Sequence, residues 1–544
     1  MSKRLLALCL CTSMLFFSCS KDNPTTEVQQ QTPAYNINNG EDITSSISME
    51  GVGVVGVTAV SDLKASEENS EVINIALEQI AMVEPPIVDG EPVRANHVDV
   101  EGDYAYVAYT KEGPSFLGGI QIIDISDKYN PVVVEEMTSS FVDINALYVE
   151  NNILYYTGAF ANPALGFFRP IVGKVNVFSG RFHSFDESIL NGQAGVDVLP
   201  YENLVLALSG SEGAIAAYDT ERMMTLNPEI EAEYPDLRSA AYSNGKLVAL
   251  SGTEGLLVLN SELQTEKKIS LSPMTDASKR TISFYGDKLL VSEGQNGVGL
   301  YDLESSSEIA RLPINILPEN EVADQYKVTN AVTTADDYIL MANGGAGFGI
   351  SKLDDNYALT QEGIIEIDGS VNYVKAKDDY VFVASGTGFR ILRMSKPEIA
   401  QQTDFLTCSD YDTYSGNKNL NVNSGAVESF SGSATLKHLN VGGILNFCGA
   451  LNIEKSTNIN SNGEFNMSGS LAVGQVGKNE DLNINSKSTL RIEGSLTVYG
   501  NLNLNSGATL EFVGNNSTIH VYGDVRKGSD ISIIGDYTDT SNKL

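Results

Sequence analysis

HVDVEGDYAYVAYTKEGPSFLGGIQIIDISDKYNPVVVEEM, His97–Met137, is the stretch whose reading decides the fold. Val98 and Val100 alternate with polar residues, and Glu101-Gly102-Asp103 ends the run. Tyr104–Tyr109 and Ile120–Ile125 are apolar runs separated by a turn containing Gly and Pro. Ser126–Pro131 makes another turn, and Val132–Met137 resumes the extended pattern. Short apolar runs punctuated by Gly, Asp, Asn and Pro predict four strands of one antiparallel sheet.

The same rhythm recurs at 145–158, 196–219, 239–260, 283–302, 330–352 and 372–393. Aligned starting points at Asp99, Asn145, Val196, Ser239, Ser283, Asn330 and Asn372 are 46, 51, 43, 44, 47 and 42 residues apart. A four-stranded unit has two open faces and two open edges. Radial repetition covers the faces, so seven copies predict an all-β, seven-bladed β-propeller over 97–407. An array of β-sandwiches, or two separate barrels, is the competing reading of the same strands.

Composition narrows the functional classes. The chain has 544 residues, with 35 Lys+Arg against 70 Asp+Glu, a formal net charge of −35. Such a balance excludes nucleic acid as a partner, because duplex binding needs a basic patch to displace counterions. The absence of Trp removes propellers whose repeats depend on it, and four His leave little for a His-based metal site.

Ile120-Gln121-Ile122-Ile123-Asp124-Ile125-Ser126-Asp127, followed by Asn130-Pro131-Val132, resembles the LVIVD repeat of bacterial and archaeal cell-surface proteins. Asp and Asn cap such a turn, and Pro131 opens the next strand where no ladder N–H is needed. The resemblance implies a propeller and a surface location, and no catalytic residues. The other six copies keep the strand rhythm without the Asn-Pro turn.

Residues 1–18 have Lys3 and Arg4 ahead of a 13-residue apolar run, too short to cross a bilayer as a helix, and read as a signal peptide. Ser18-Cys19-Ser20-Lys21-Asp22-Asn23 resembles the lipobox of bacterial lipoproteins, with an export signal like that of Bacteroidetes surface lipoproteins. The resemblance implies a lipid on Cys19 and attachment to the outer membrane, exposed at the cell surface. Residues 19–50, rich in Thr, Gln, Asn and Pro, read as a flexible tether. Residues 51–96 read as a strand and helix segment packing on the propeller, with an amphipathic helix from Ser70 to Met82.

From about Cys408 the composition shifts to Asn, Ser and Gly, and the period shortens. Triplets such as Leu439-Asn440-Val441, Leu445-Asn446-Phe447 and Leu451-Asn452-Ile453 recur about every six residues. Three-residue strands bury a face only when stacked, which predicts a β-solenoid over 408–544 with apolar residues inward. Three six-residue sides would make an 18-residue coil, similar to bactofilin-type and adhesin-type β-helices. Cys408 and Cys448 are the only cysteines after Cys19, and an extracytoplasmic pair is able to form a disulfide.

Chemistry-bearing residues are few. Glu212, Glu254 and Glu293 occupy the turn after the second strand of successive repeats. Equivalent turns share one propeller face, where grouped carboxylates would hold a cation such as Ca²⁺ or supply an acid/base pair. Arg390, near the matching turn of the last repeat, would recognise an anion, and His97 opens an inner strand facing the channel. Gly344–Gly349 has no helix after it to bind phosphate and reads as a blade turn. No catalytic residue, metal site or cofactor is assigned. The leading expectation is a non-catalytic platform that binds or adheres to a protein or glycan. The alternatives are a polysaccharide-acting enzyme using the turn acids, and a structural protein associating through its solenoid.

Overall fold

The computed structural model describes residues 35–60, 74–162, 167–221, 228–272, 278–317, 321–354, 356–395 and 403–544. The signal peptide, Cys19 and the first half of the tether lie outside them. Seven four-stranded antiparallel blades follow the predicted repeats. Their innermost strands are Arg94–Glu101, Val142–Glu150, Gly195–Tyr201, Leu237–Ser243, Ile282–Tyr285, Lys327–Ala335 and Val371–Lys377. Between blades, apolar side chains interdigitate, as where Tyr106, Ile120 and Ile122 of blade 1 meet Leu154, Tyr156 and Val175 of blade 2. Blade 2 is the tallest. Its second and third strands, Ile153–Asn162 and Phe167–Phe178, are 10 and 12 residues long, against five to eight in the other blades.

The outermost strand of blade 7 comes from the N-terminal segment. Ala76–Val83 pairs with Gly388–Ser395, so the two ends of the propeller sequence close one sheet. This corrects the helix expected over Ser70–Met82: its described part is a strand, and residues 61–73 lie outside the described ones. All eight residues of Ala76–Val83 are buried. With blade 7 on one side and the C-terminal region on the other, apolar residues had no reason to alternate, and the run imitated helical spacing.

The tether is also shorter than its composition suggested. Asn36–Asn38 adds a fifth strand to blade 1, Ile47–Ser48 pairs with Ala76–Val83, and Thr58–Ala59 pairs with the outer strand of blade 6. Residues 35–59 therefore run along the outer edges of blades 1, 7 and 6. Tyr35 seats its ring between Tyr156 and Phe185, with its hydroxyl on Glu187.

The C-terminal region is a parallel β-solenoid. One sheet stacks short strands, Asn419–Val422, His438–Val441, Thr457–Ile459, Leu482–Ile484, Leu502–Leu504 and Val525–Lys527. The other stacks ten-residue strands, Val427–Leu436, Ile444–Ile453, Glu464–Val473 and Thr489–Val498, before dividing into shorter pieces. Each long strand turns a corner at a glycine: Gly432, Gly449, Gly469 and Gly494 have φ between +103° and +131°. A Cβ on Gly494 would lie 2.1 Å from the Gly469 carbonyl oxygen, so only glycine keeps the corner and the ladder together. Three sides result, as expected, with the triplets' apolar residues forming a continuous core. The uniform 18-residue coil does not hold: equivalent positions Val427, Ile444, Glu464, Thr489 and Thr509 are 17, 20, 25 and 20 residues apart. The strands repeat while the corner turns vary in length. Cys408 and Cys448 are joined by a disulfide.

On the short-strand face, Asn421, Asn440, Asn458, Asn483 and Asn503 form an amide ladder with N···O distances of 2.7–3.1 Å. Another face packs on the propeller. Thr435 Oγ1 donates to the Ile75 carbonyl (2.7 Å), and Tyr499 donates to the buried Glu78 carboxylate (2.8 Å). Val52 and Val54 complete the seam against Ala472 and Tyr499.

A candidate binding face on the propeller

Each inner strand starts at the face that carries the inter-blade connections and the turns between second and third strands. There the ladders of blades 1, 2, 3, 4 and 7 are bulged at Asn96, Asn145, Val196, Arg238 and Asn372. A bulge re-aims its side chain away from the sheet normal. The bulged asparagines use this to bridge blades. Asn372 Nδ2 donates to the Ala95 carbonyl (2.8 Å), Asn145 Nδ2 to that of Gly195 (2.8 Å) and Asn96 Nδ2 to that of Asn145 (3.3 Å). Asn330 reaches the Val371 carbonyl in the same way (3.1 Å). Deeper in the channel, carboxylates repeat the device: Asp99 accepts Val149 N–H (3.0 Å), and Asp197 accepts Ala240 N–H (2.9 Å).

The channel mouth is closed by Lys279, from the connection between blades 4 and 5. Its Nζ donates to the backbone carbonyls of Asn96 (3.2 Å) and Asn145 on the far side, and lies 5.3 Å from the Tyr373 ring centroid. Burial pulls the Lys279 ammonium down to about 7, against an opposing pull from Asp197. Burial likewise pushes Asp197 up to about 6. Above this floor a cavity of about 1330 Å³ opens between the blade connections. Its lining mixes cations, Arg94, Arg238 and Lys279, with the acids Glu112, Glu321 and Glu366.

None of Glu212, Glu254, Glu293, Arg390 and His97 lines this cavity. Glu212 sits exposed at a left-handed turn position (φ +48°). Glu254 pairs with Lys268 at 3.0 Å. Glu293 is fully buried, where Tyr301 (2.7 Å) and Arg311 (2.9 Å) donate to its Oε1. The three acids do not form a cluster, and among the described residues no group of three or more His, Cys, Asp or Glu converges on a metal-sized site. Arg390 is buried within blade 7, donating to Ser385 and Thr387, and desolvation lowers its pKa. His97 is buried in the channel wall, stacked on Tyr373 at 3.8 Å. Desolvation, reinforced by Lys279 and Lys375, holds it well below the usual histidine range.

Reading by turn type missed the face's main components. Asn145, Asn330 and Asn372 did carry a signal, an Asn at the start of aligned repeats. The fourth, Asn96, stands three residues ahead of the aligned Asp99, outside the repeat's apparent start. Lys279 lies in an irregular connection where no period operates.

Residues 94–139, the four strands of blade 1, match the LVIVD repeat family. No curated protein matches the chain. Among solved structures, the WD40 beta propeller domain of Doa1 is similar at 10% identity and a TM-score of 0.42, over 60% of this chain and 97% of that one. The computationally designed Ika8 protein is similar at 11% identity and a TM-score of 0.38, over 64% and 98%. The blades and the repeat match together define a β-propeller repeat protein, extended by a C-terminal β-solenoid.

Proposed function

We propose that the chain is a non-catalytic lipoprotein of the outer membrane surface, whose propeller binds a protein or glycan ligand at the cavity face. The observation that carries this is the closed floor. Lys279 and the bulged asparagines make the channel mouth a cup rather than a passage, and a concave site with convergent polar groups is a ligand-binding geometry. The separation of Glu212, Glu254 and Glu293, two of them engaged by partners, supports binding over polysaccharide cleavage, which needs two carboxylates across one bond. Anchorage rests on Ser18-Cys19 following the apolar run. A Cys19→Ala variant is expected to leave the membrane fraction, and its retention there would overturn the anchor. Screening the Cys19→Ala protein on a glycan array and by pull-down from cell-surface extract tests the binding face. Capture should be lost when the cavity-lining Glu366 is changed to Arg, with folding unchanged; capture unaffected by that change would contradict the assignment.

A further inference from the structure

Blade 2 carries an aromatic surface that neither the blade core nor the cavity uses. Its tall hairpin rises on the cavity face. Beyond the paired Val142 and Phe160, the Ala161 N–H donates to the Phe141 carbonyl (2.8 Å), and Ala161 pairs with Phe168 on the third strand. Directly opposed residues on adjacent strands project from the same face of a sheet. Phe141, in the bend just before the inner strand, and Phe168, directly opposed to Ala161, therefore lie on either side of that small residue at the cavity end of the hairpin. They are 41% and 57% exposed, while Ala161 is 5% exposed. The described chain also begins at this blade and this end. Asn36 pairs with Thr138, near the end of a strand that runs toward the cavity face, and Tyr35 bonds Glu187 of blade 2. Cys19 and Tyr35 are sixteen residue steps apart. At ~3.5 Å per residue that segment spans at most about 55 Å, so a lipid on Cys19 limits how far this rim can stand from the bilayer.

We propose that Phe141 and Phe168 rest in the bilayer interface and set the propeller's orientation on the membrane. The proposal rests on the anchoring of Cys19. Aromatic rings favour the headgroup region, where an apolar face meets a wet edge. Attraction to anionic lipid cannot supply the contact, since residues 97–414 hold most of the chain's acidic excess. Two rings alone bind a surface weakly, but the anchor makes their contact intramolecular and raises their effective concentration. The cavity then opens beside the membrane, toward molecules standing on the same surface.

The chain contains no Trp, so one introduced indole reports on one place. Phe178 supplies the internal control: it is 53% exposed, on the same long strand as Phe168, at the end toward the opposite face. Full-length mature Phe168→Trp and Phe178→Trp proteins, with the lipid on Cys19 verified by mass, are placed in phosphatidylethanolamine–phosphatidylglycerol vesicles carrying brominated acyl chains. Phe168→Trp emission should shift blue and be quenched roughly twofold, as for a side chain ~5–10 Å into the interface. Phe178→Trp should behave as it does in unbrominated vesicles. With the lipid present, quenching of neither or of both overturns the proposal. A Cys19 without lipid overturns the anchoring reading, and the mass measurement identifies that failure separately. Both positions are exposed, and an unchanged melting curve verifies that each variant folds.

Discussion

The propeller and the solenoid both solve the problem of covering β-sheet faces by repetition, and they tolerate irregularity in opposite ways. Propeller blades share only a strand rhythm. Their connections differ, one blade is tall, one borrows its outer strand from residues 76–83, and the channel holds buried charges. Solenoid coils share register, residue by residue, through the glycine corners and the asparagine ladder, and vary only where a turn leaves the stack. Charge follows the same division. Residues 415–544 hold 9 basic and 11 acidic side chains, so most of the net charge of −35 lies outside the solenoid. A radial array lets each blade carry its own exception, which is where a binding site can grow. A stacked array transmits each exception to its neighbours, and so serves better as a scaffold.

Glycine positions separate the two regions most sharply. Gly494→Val places a Cβ against the Gly469 carbonyl at a positive φ, and should cost about 4 kcal/mol or more, with loss of the solenoid's folding transition in a thermal melt. Gly245→Ala, at a blade turn with φ +73° and open space around it, should cost only about 1 kcal/mol. Equal effects would show that the propeller is as intolerant as the solenoid.

The seam between the regions comes next. Tyr499→Phe removes a donor from the Glu78 carboxylate, which is 1% exposed and keeps Ser395 and Arg393 as its other neighbours. A loss of about 1–3 kcal/mol is expected, with propeller and solenoid separating into two denaturation steps. A smaller effect tests the ladder: Asn458→Ala strips the partners of Asn440 and Asn483 and should cost about 1 kcal/mol, read from urea midpoints.

A pH dependence is confined to the propeller. The folded pKa of Lys279 lies below its unfolded value, so between pH 7 and about 10 the unfolded chain binds more protons and stability rises with pH. Relative to Lys279→Met, the parent's Tm should rise over that interval. A falling difference would contradict the burial of the ammonium.

What was legible in the sequence follows the same division. The solenoid's sides were readable because each triplet meets its own copy in the next coil, so Leu439-Asn440-Val441 needs no distant partner to explain it. Its coil length was not, since the turns answer to no packing constraint. In the propeller the strands were readable from local alternation, but Ala76–Val83 was not, because its burial depends on blade 7 and the solenoid together. The candidate face was least legible. Glu212, Glu254 and Glu293 occupy equivalent turns, yet equivalence in a radial array spreads residues around the ring and does not gather them. Lys279 reaches the centre from an irregular connection, and its partners are backbone carbonyls, which sequence does not display.

The central claim is that ligand binding belongs to the propeller's cavity face and that the solenoid is scaffold. Its most direct test is capture of ligand from cell-surface extract by three forms of the chain: the parent, one with Glu366→Arg and Asp368→Arg in the cavity wall, and one with Asn421→Arg on the exposed solenoid ladder. Capture lost in the cavity variant and retained in the ladder variant is the predicted result. Capture retained in the first and lost in the second would contradict the account.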